Sequence, residues 1–331
     1  MGAEPYALRP APKRTAVRHR IRLSLAGSTP SSGVMTQSFR ILIFVSLVLA
    51  ACAGPSAAQE CWTLAGGPCR TLPESGSDWE EHAVVLGANA ALGGITAGVM
   101  QWARGGSFSR GFIRGAAGGG MIYLGKRVSA ESFRGAGLVG RQVGAVGASV
   151  VRNTSEGRSL LDPLMLPVGP LRFYIPHDAT TRVRVRVDLP GAAVLAHALL
   201  SPARTLDTGA SLSAGAPVFL MREPFRDGWF GSHIAGVIVL LSDSPEELRR
   251  VPHQKMVFAH ERIHTVQYDQ AMHTWSGPLD ARVLRHVPYG GWIARHMEIN
   301  LLLAPLGAVH MAVPYENRLW EREAFFFAGP D

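Results

Sequence analysis

The rhythm of apolar and polar positions changes several times along the 331-residue chain. A short apolar run, Ile41 to Ala51, follows Arg40 and is too short to span a bilayer. A polar stretch at 59–82 separates it from a region made largely of Gly, Ala and apolar residues. Three segments stand out there: "AVVLGANAALGGITAGVMQWARGG", "RGFIRGAAGGGMIYLGKR" and "RGAGLVGRQVGAVGASVVRN". Small residues recur four apart at Gly94/Gly98, Gly115/Gly119 and Gly140/Gly144, a spacing that lets helices approach closely. The pattern predicts three helices over 83–155. The first, Ala83 to Trp102, is uncharged until its end and long enough to cross a membrane. Arg114 and Arg141 lie inside the other two, which favours packing against protein over lipid.

From Leu166 the period shortens to two. "RVRVRVDL" at 182–189 puts Val183, Val185 and Val187 on one face and Arg182, Arg184 and Arg186 on the other. That predicts a half-buried strand with a solvated Arg face, and as an alternative an Arg face that binds anions. "PVFLMRE" (217–223) and "SHIAGVIVLLSD" (232–243) read as strands, the second central because it is almost wholly apolar. Ser244 as N-cap and Pro245 at the first helical position predict a short helix. Pro252 opens a longer one over 253–270. A turn at Tyr289-Gly290-Gly291, an apolar helix over 292–312 and a last helix over 316–328 complete the reading. The class is α+β, with a small sheet and helices from 165 to 331 preceded by the Gly/Ala-rich helical region at 83–155.

The net charge of +8 suggests a nucleic-acid or membrane partner until its location is considered. Residues 1–40 carry seven basic groups and one acid, leaving a net +2 for the rest. No nucleic-acid partner is therefore expected. Residues 1–34 read as an extension ahead of a start at Met35, and 35–58 as a signal peptide. "LAAC", ending in Cys52, resembles a bacterial lipoprotein signal, in which the Cys is lipidated; the alternative is plain cleavage after Ala58. Cys61 and Cys69 flank a short Gly/Pro loop that a disulfide could close in an oxidising compartment. Together these predict export to the cell envelope. A lipid anchor or the Gly-rich helices would supply membrane attachment.

The chemistry concentrates in "FAHERIHTVQYDQ", Phe258 to Gln270. His260 and His264, four apart on a helix, share a face and can present two imidazoles to one tetrahedral Zn²⁺. Glu261 lies about 100° round the same helix, where it can reach a metal-bound water as general base without ligating the metal. A catalytic zinc needs a third protein ligand. "YENRLWEREAFFFAGPD" offers Glu321, with Glu323 and Glu316 as fallbacks. Tyr315, Tyr289, His310 and His286 are candidate donors to a developing oxyanion.

The His260-Glu261-X-X-His264 motif and the Glu321-X-X-Ala324 pair resemble the two metal helices of gluzincin metallopeptidases, over residues 230–328. The resemblance implies a zincin-like catalytic domain, Glu321 as third ligand, a small Ala324 that lets the helices pack closely, and a peptide or protein substrate. Phe325 stands where that family commonly has an Asp that orients a ligand histidine, so Gln267 or a backbone carbonyl must do this. Arg262 stands at a position that is generally uncharged, and is expected to point to solvent. Two alternatives follow: a hydrolase of non-peptide bonds, or a non-enzymatic envelope protein whose Gly-rich helices mediate membrane association or assembly.

Overall fold

A computed structural model describes residues 78–178, 182–223 and 230–329. The segments expected as N-terminal extension, signal peptide and most of the 59–82 linker, with Cys52, Cys61 and Cys69, lie outside the described residues. The Gly/Ala-rich region forms three helices: α1 (Asp78–Ala103), α2 (Phe108–Ala130) and α3 (Ala136–Ser155). Ser107 caps α2, its side chain accepting from Arg110 N. The four-residue spacing of glycines works as expected. A Cβ on Gly119 would collide with the Asn89 carbonyl of α1, and one on Gly144 would come within 2.6 Å of Val266 Cγ1. Such close backbone approach offsets the low helix propensity of glycine. Trp79–Ala103 is long and apolar enough to cross a membrane by length and composition.

These helices share a core with the rest of the chain. Ala97, Ile122, Ala148 and Val151 pack with Val266 of the motif helix. Arg141 of α3 is fully buried and bonds Asp269 through Nε at 2.6 Å. Arg262 does not reach solvent: it is 6% exposed, packs over the Phe258 ring and donates to the Glu131 carbonyl at the end of α2. The reason is the bundle itself, which covers the helix face that the sequence leaves open.

Two four-stranded sheets follow, ordered β1-β2-β3-β8 and β4-β5-β7-β6. The first contains β1 (Leu164–Val168), β2 (Leu171–Ile175), β3 (Arg184–Asp188) and the two-residue β8 (Met297–Glu298). Its register corrects the expected solvated Arg face at Arg186, while Arg182 and Arg184 stay exposed. Arg186 pairs with Arg172 and Arg184 with Tyr174, so all four share one face. The face turns inward at one end only: Arg172 and Tyr174 are buried and Arg186 half-buried, whereas Arg184 is exposed, as are Val183 and Val185. Carboxylates from other segments make this stable: Arg172 bonds Asp188 at 2.7 Å and Asp269 at 2.9 Å. Asp188 then caps helix α4 (Leu189–Leu200) by accepting from Gly191 N.

The second sheet holds β4 (Arg204–Leu206), β5 (Val218–Met221), β6 (Gly231–Ile234) and β7 (Val237–Leu241), with α5 (Thr208–Ala214) between β4 and β5. The single apolar strand expected over 232–243 is a hairpin. It turns at Ala235 and Gly236, both at positive φ, 48° and 81°. The short helix α6 (Glu247–Arg250) starts later than expected and Ser244 does not cap it; Glu247 instead accepts from Ser242 Oγ and Asp243 N. Helix α7 (Pro252–Ala271) carries the motif and continues through a π-turn (Met272–Ser276) into α8 (Gly277–Leu284). The apolar helix expected over 292–312 is split into α9 (Gly290–His296) and α10 (Leu303–Ala312). Between them, β8 pairs with β3, and Glu298 is drawn inward to the Tyr174 hydroxyl. A 3₁₀ turn (Tyr315–Asn317) leads into α11 (Leu319–Ala328).

Candidate metal centre

Helix α7 presents His260 and His264 one turn apart, and α11 crosses to meet them. The crossing depends on a small residue: Ala324 is fully buried and packs with Ile263, Tyr123 and Phe327. One turn before it, Glu321 points into the gap. His260 Nε2 lies 3.0 Å and His264 Nε2 3.2 Å from Glu321 Oε2, and the two nitrogens are 2.9 Å apart. Ligand atoms bonded tetrahedrally to zinc lie about 3.4 Å from one another, so this trio has nearly the spacing that a metal requires. The donor set of two imidazoles and one carboxylate, largely buried, could hold a divalent metal.

The surrounding groups account for the protonation of this trio. Burial disfavours charge on Glu321, but the imidazoles of His264, His260 and His310 outweigh it and hold the carboxyl far below its usual range. On His264 burial is again outweighed, by Glu321 beside it, and the pKa is pushed up to about 9. Burial lowers His260, only partly offset by its bond to Glu321. Glu261 is buried next to them and pushed up to about 7, by burial first; His264 works against the rise and Glu321 adds to it. Its Oε2 has no hydrogen-bond partner.

Each imidazole is held differently. His264 Nδ1 lies 2.7 Å from Gln267 Oε1. Gln267 Nε2 donates to the Trp320 carbonyl and to Glu323 Oε2, so its oxygen faces the ring and His264 donates from Nδ1. Glu323 in turn accepts from Lys126 Nζ at 2.7 Å and from Asn89 Nδ2 at 2.7 Å. Glu323 is thus bound to the Gly-rich bundle and is not in the ligand group. The side chain of Glu316 is outside the described residues. His260 Nδ1 is buried without a partner, and its ring rests against Phe325 at 4.3 Å between centroids.

Of the candidate donors, His310 and Tyr315 reach the centre. His310 Nε2 lies 3.3 Å from Glu321 Oε1. Tyr315 bonds Glu321, and burial ahead of that carboxylate raises its pKa, which keeps it a proton donor. Tyr289 is 87% exposed at the start of α9, and His286 is exposed too; neither joins the group. The sequence reading missed His233 of β6. Its ring lies 6.2 Å from that of His264, its Nε2 is buried without a partner, and burial followed by His264 and Arg141 lowers it to about 3. The available signal was a histidine at the head of the apolar stretch "SHIAGVIVLLSD" that precedes the motif helix. Strand β6 also passes beside the general-base candidate: a Cβ on Gly231 would stand 3.0 Å from Glu261 Oε1.

Comparison of the chain with protein-family models, curated proteins and solved structures finds no match.

Proposed function

We propose that the protein is an exported, membrane-attached zinc metallopeptidase. The observation that carries this reading is the meeting of His260 Nε2, His264 Nε2 and Glu321 Oε2 at 2.9–3.2 Å, contributed by two separate helices. Beside it lies a buried carboxyl with a free oxygen, Glu261. A zinc ion held by the three ligands supplies Lewis acidity to an amide carbonyl and to water. The protein's own groups do the rest. Glu261, poised near neutral pH, takes a proton from the attacking water at its carboxylate and returns one to the departing amide nitrogen. Tyr315 and His310, next to Glu321, donate hydrogen bonds toward the oxyanion. Among the described residues β6 pairs only with β7, so its other edge can receive an extended peptide beside Glu261.

A second reading, a non-enzymatic envelope protein, draws on a different observation. Trp79, Val84 and Trp102 on α1 and Ile113 on α2 are more than half exposed, an apolar surface suited to membrane association. Elemental analysis of the purified full chain separates the two. The peptidase reading expects about one zinc per chain, lost in His264→Ala and Glu321→Ala. It also expects cleavage of labelled casein to be lost in a Glu261→Gln variant that keeps the metal. A metal-free wild type from zinc-replete medium sinks it.

A further inference from the structure

Half-buried Arg186 and exposed Arg184 of β3 border a cavity separate from the candidate metal centre. It lies between α3, the first sheet and the π-turn that ends the metal helix, with about 50 Å³ of space. A single water needs about 10–15 Å³ of such space, so the cavity has room for several water-sized atoms. Its lining includes Arg152, Arg158, Arg184, Arg186, Tyr174 and His273. His273 stands nine residues past His264, about 13 Å along the helix axis.

The charges around this cavity do not balance. Glu156 pairs with both Arg152 and Arg158. Among the described residues neither Arg184 nor Arg186 has a carboxylate partner. Arg186 stands directly across from Arg172, a like-charge pair that disfavours the strand pairing. Arg172 is satisfied by Asp188 and Asp269, but Arg186 Nε is buried with no hydrogen-bond partner. The Arg186 guanidinium lies over the Tyr174 ring, 4.7 Å from its centre. A buried donor of this kind is costly unless something accepts from it.

The lining is also rich in donors. His273 Nδ1 accepts from Arg152 Nη1 at 3.1 Å, since a guanidinium can only donate. Burial, then Arg152, Arg172, Arg186 and Arg158, keep the ring neutral, so its proton sits on Nε2 as a further donor. The Tyr174 hydroxyl is engaged with Glu298. We propose that this cavity binds a small oxyanion of the phosphate class, with Arg184 and Arg186 as the guanidinium groups that neutralise it. Forked N–H donors match the tetrahedral face of a phosphoryl group, and the size admits free phosphate or the terminus of a phosphomonoester.

The test is calorimetric titration of the full-length wild type, Arg186→Met and Arg184→Gln with inorganic phosphate, at ionic strength matched with potassium chloride. Wild type should bind saturably, and each variant at least about tenfold more weakly, as expected for losing a charge-assisted hydrogen bond. Arg186→Met should also be no less thermally stable than wild type in phosphate-free buffer, since it removes an unpaired buried donor. A purely structural arginine would lower that stability. Phosphoethanolamine as a second ligand distinguishes a site for a phosphoryl terminus from one for the free ion. Should Arg186→Met not fold, Arg184→Gln at its exposed strand position carries the comparison. Absence of saturable binding to wild type up to about 10 mM, or equal binding by the folded variants, overturns the proposal.

Discussion

His264 donates its Nδ1 proton to Gln267, whereas His260 Nδ1 is buried without a partner and its ring rests on Phe325. A hydrogen bond to the far nitrogen fixes the tautomer and the ring angle of a ligand histidine. Gln267 does this for His264, so Gln267→Ala should weaken metal binding by about 10–100-fold while leaving the fold intact. Competition with a chromophoric chelator measures it, and unchanged affinity would reduce Gln267 to a spacer. A different histidine contributes to acid sensitivity. His273 is held neutral by burial and by Arg152, Arg172, Arg186 and Arg158, well below its ordinary pKa. The unfolded chain takes up a proton there near pH 6.5 and the folded chain does not. Stability is therefore present above that pH and falls as pH drops, by about 1.4 kcal/mol per unit for this one group. His233 and His260 are lowered and act in the same direction. Asp188, raised to about 6 by burial against the pull of Arg172, acts in the opposite one. Urea midpoints at pH 7.5, 6.5 and 5.5 in phosphate-free buffer should fall less steeply in His273→Gln than in wild type. Parallel slopes would mean that His273 protonates in the native state.

At the scale of elements, the glycines make opposite predictions at adjacent positions. A Cβ at Gly119 runs into the Asn89 carbonyl of α1, whereas at Gly120 the nearest neighbour is Leu86 Cδ1 at 3.8 Å. Gly119→Ala should cost about 3 kcal/mol through forced separation of α1 and α2. Gly120→Ala should add about 0.5–1 kcal/mol through helix propensity alone. Thermal unfolding of the pair checks this; similar effects at both positions would show that the helices are not in close contact. The glycine spacing was readable in the sequence because it is local and periodic. So was the motif helix, whose two histidines stand four residues apart; Glu321, some sixty residues on, was reached only through the resemblance of Glu321-X-X-Ala324 to a metal helix. The orientation of "RVRVRVDL" was not. Alternation separates two faces but does not say which is buried, and here pairing with β2 sets Arg186 beside Arg172, which Asp188, Asp269 and Glu298 hold inside. The hairpin within 232–243 was hidden because both arms are apolar and only Ala235-Gly236 marks the turn. The break at Met297–Glu298 was hidden for the reverse reason. Its cause, the Tyr174 hydroxyl, lies more than a hundred residues away.

For the whole molecule, the Gly-rich bundle and the candidate metal centre are joined through one buried charge relay. Lys126 of α2 is 2% exposed and contacts both oxygens of Glu323, which holds Gln267, which holds His264. Burial lowers the Lys126 pKa, and the Glu323 carboxylate beside it is what keeps the charge favourable. Removing the cation alone strands a mostly buried carboxylate, so Lys126→Met should cost about 3 kcal/mol. The double variant Lys126→Met, Glu323→Leu removes both charges and should regain most of that stability, since an apolar pair can replace a buried ion pair at little loss. It should not regain metal affinity in full, because Gln267 then keeps only the Trp320 carbonyl of the two acceptors that orient it toward His264. Urea unfolding and chelator competition on the same three proteins read the two quantities separately. If stability and affinity recover together in the double variant, the link is packing alone and the relay has no part in aligning the ligand. If stability recovers and affinity does not, the bundle is part of the metal centre, and its packing serves the site as well as the core.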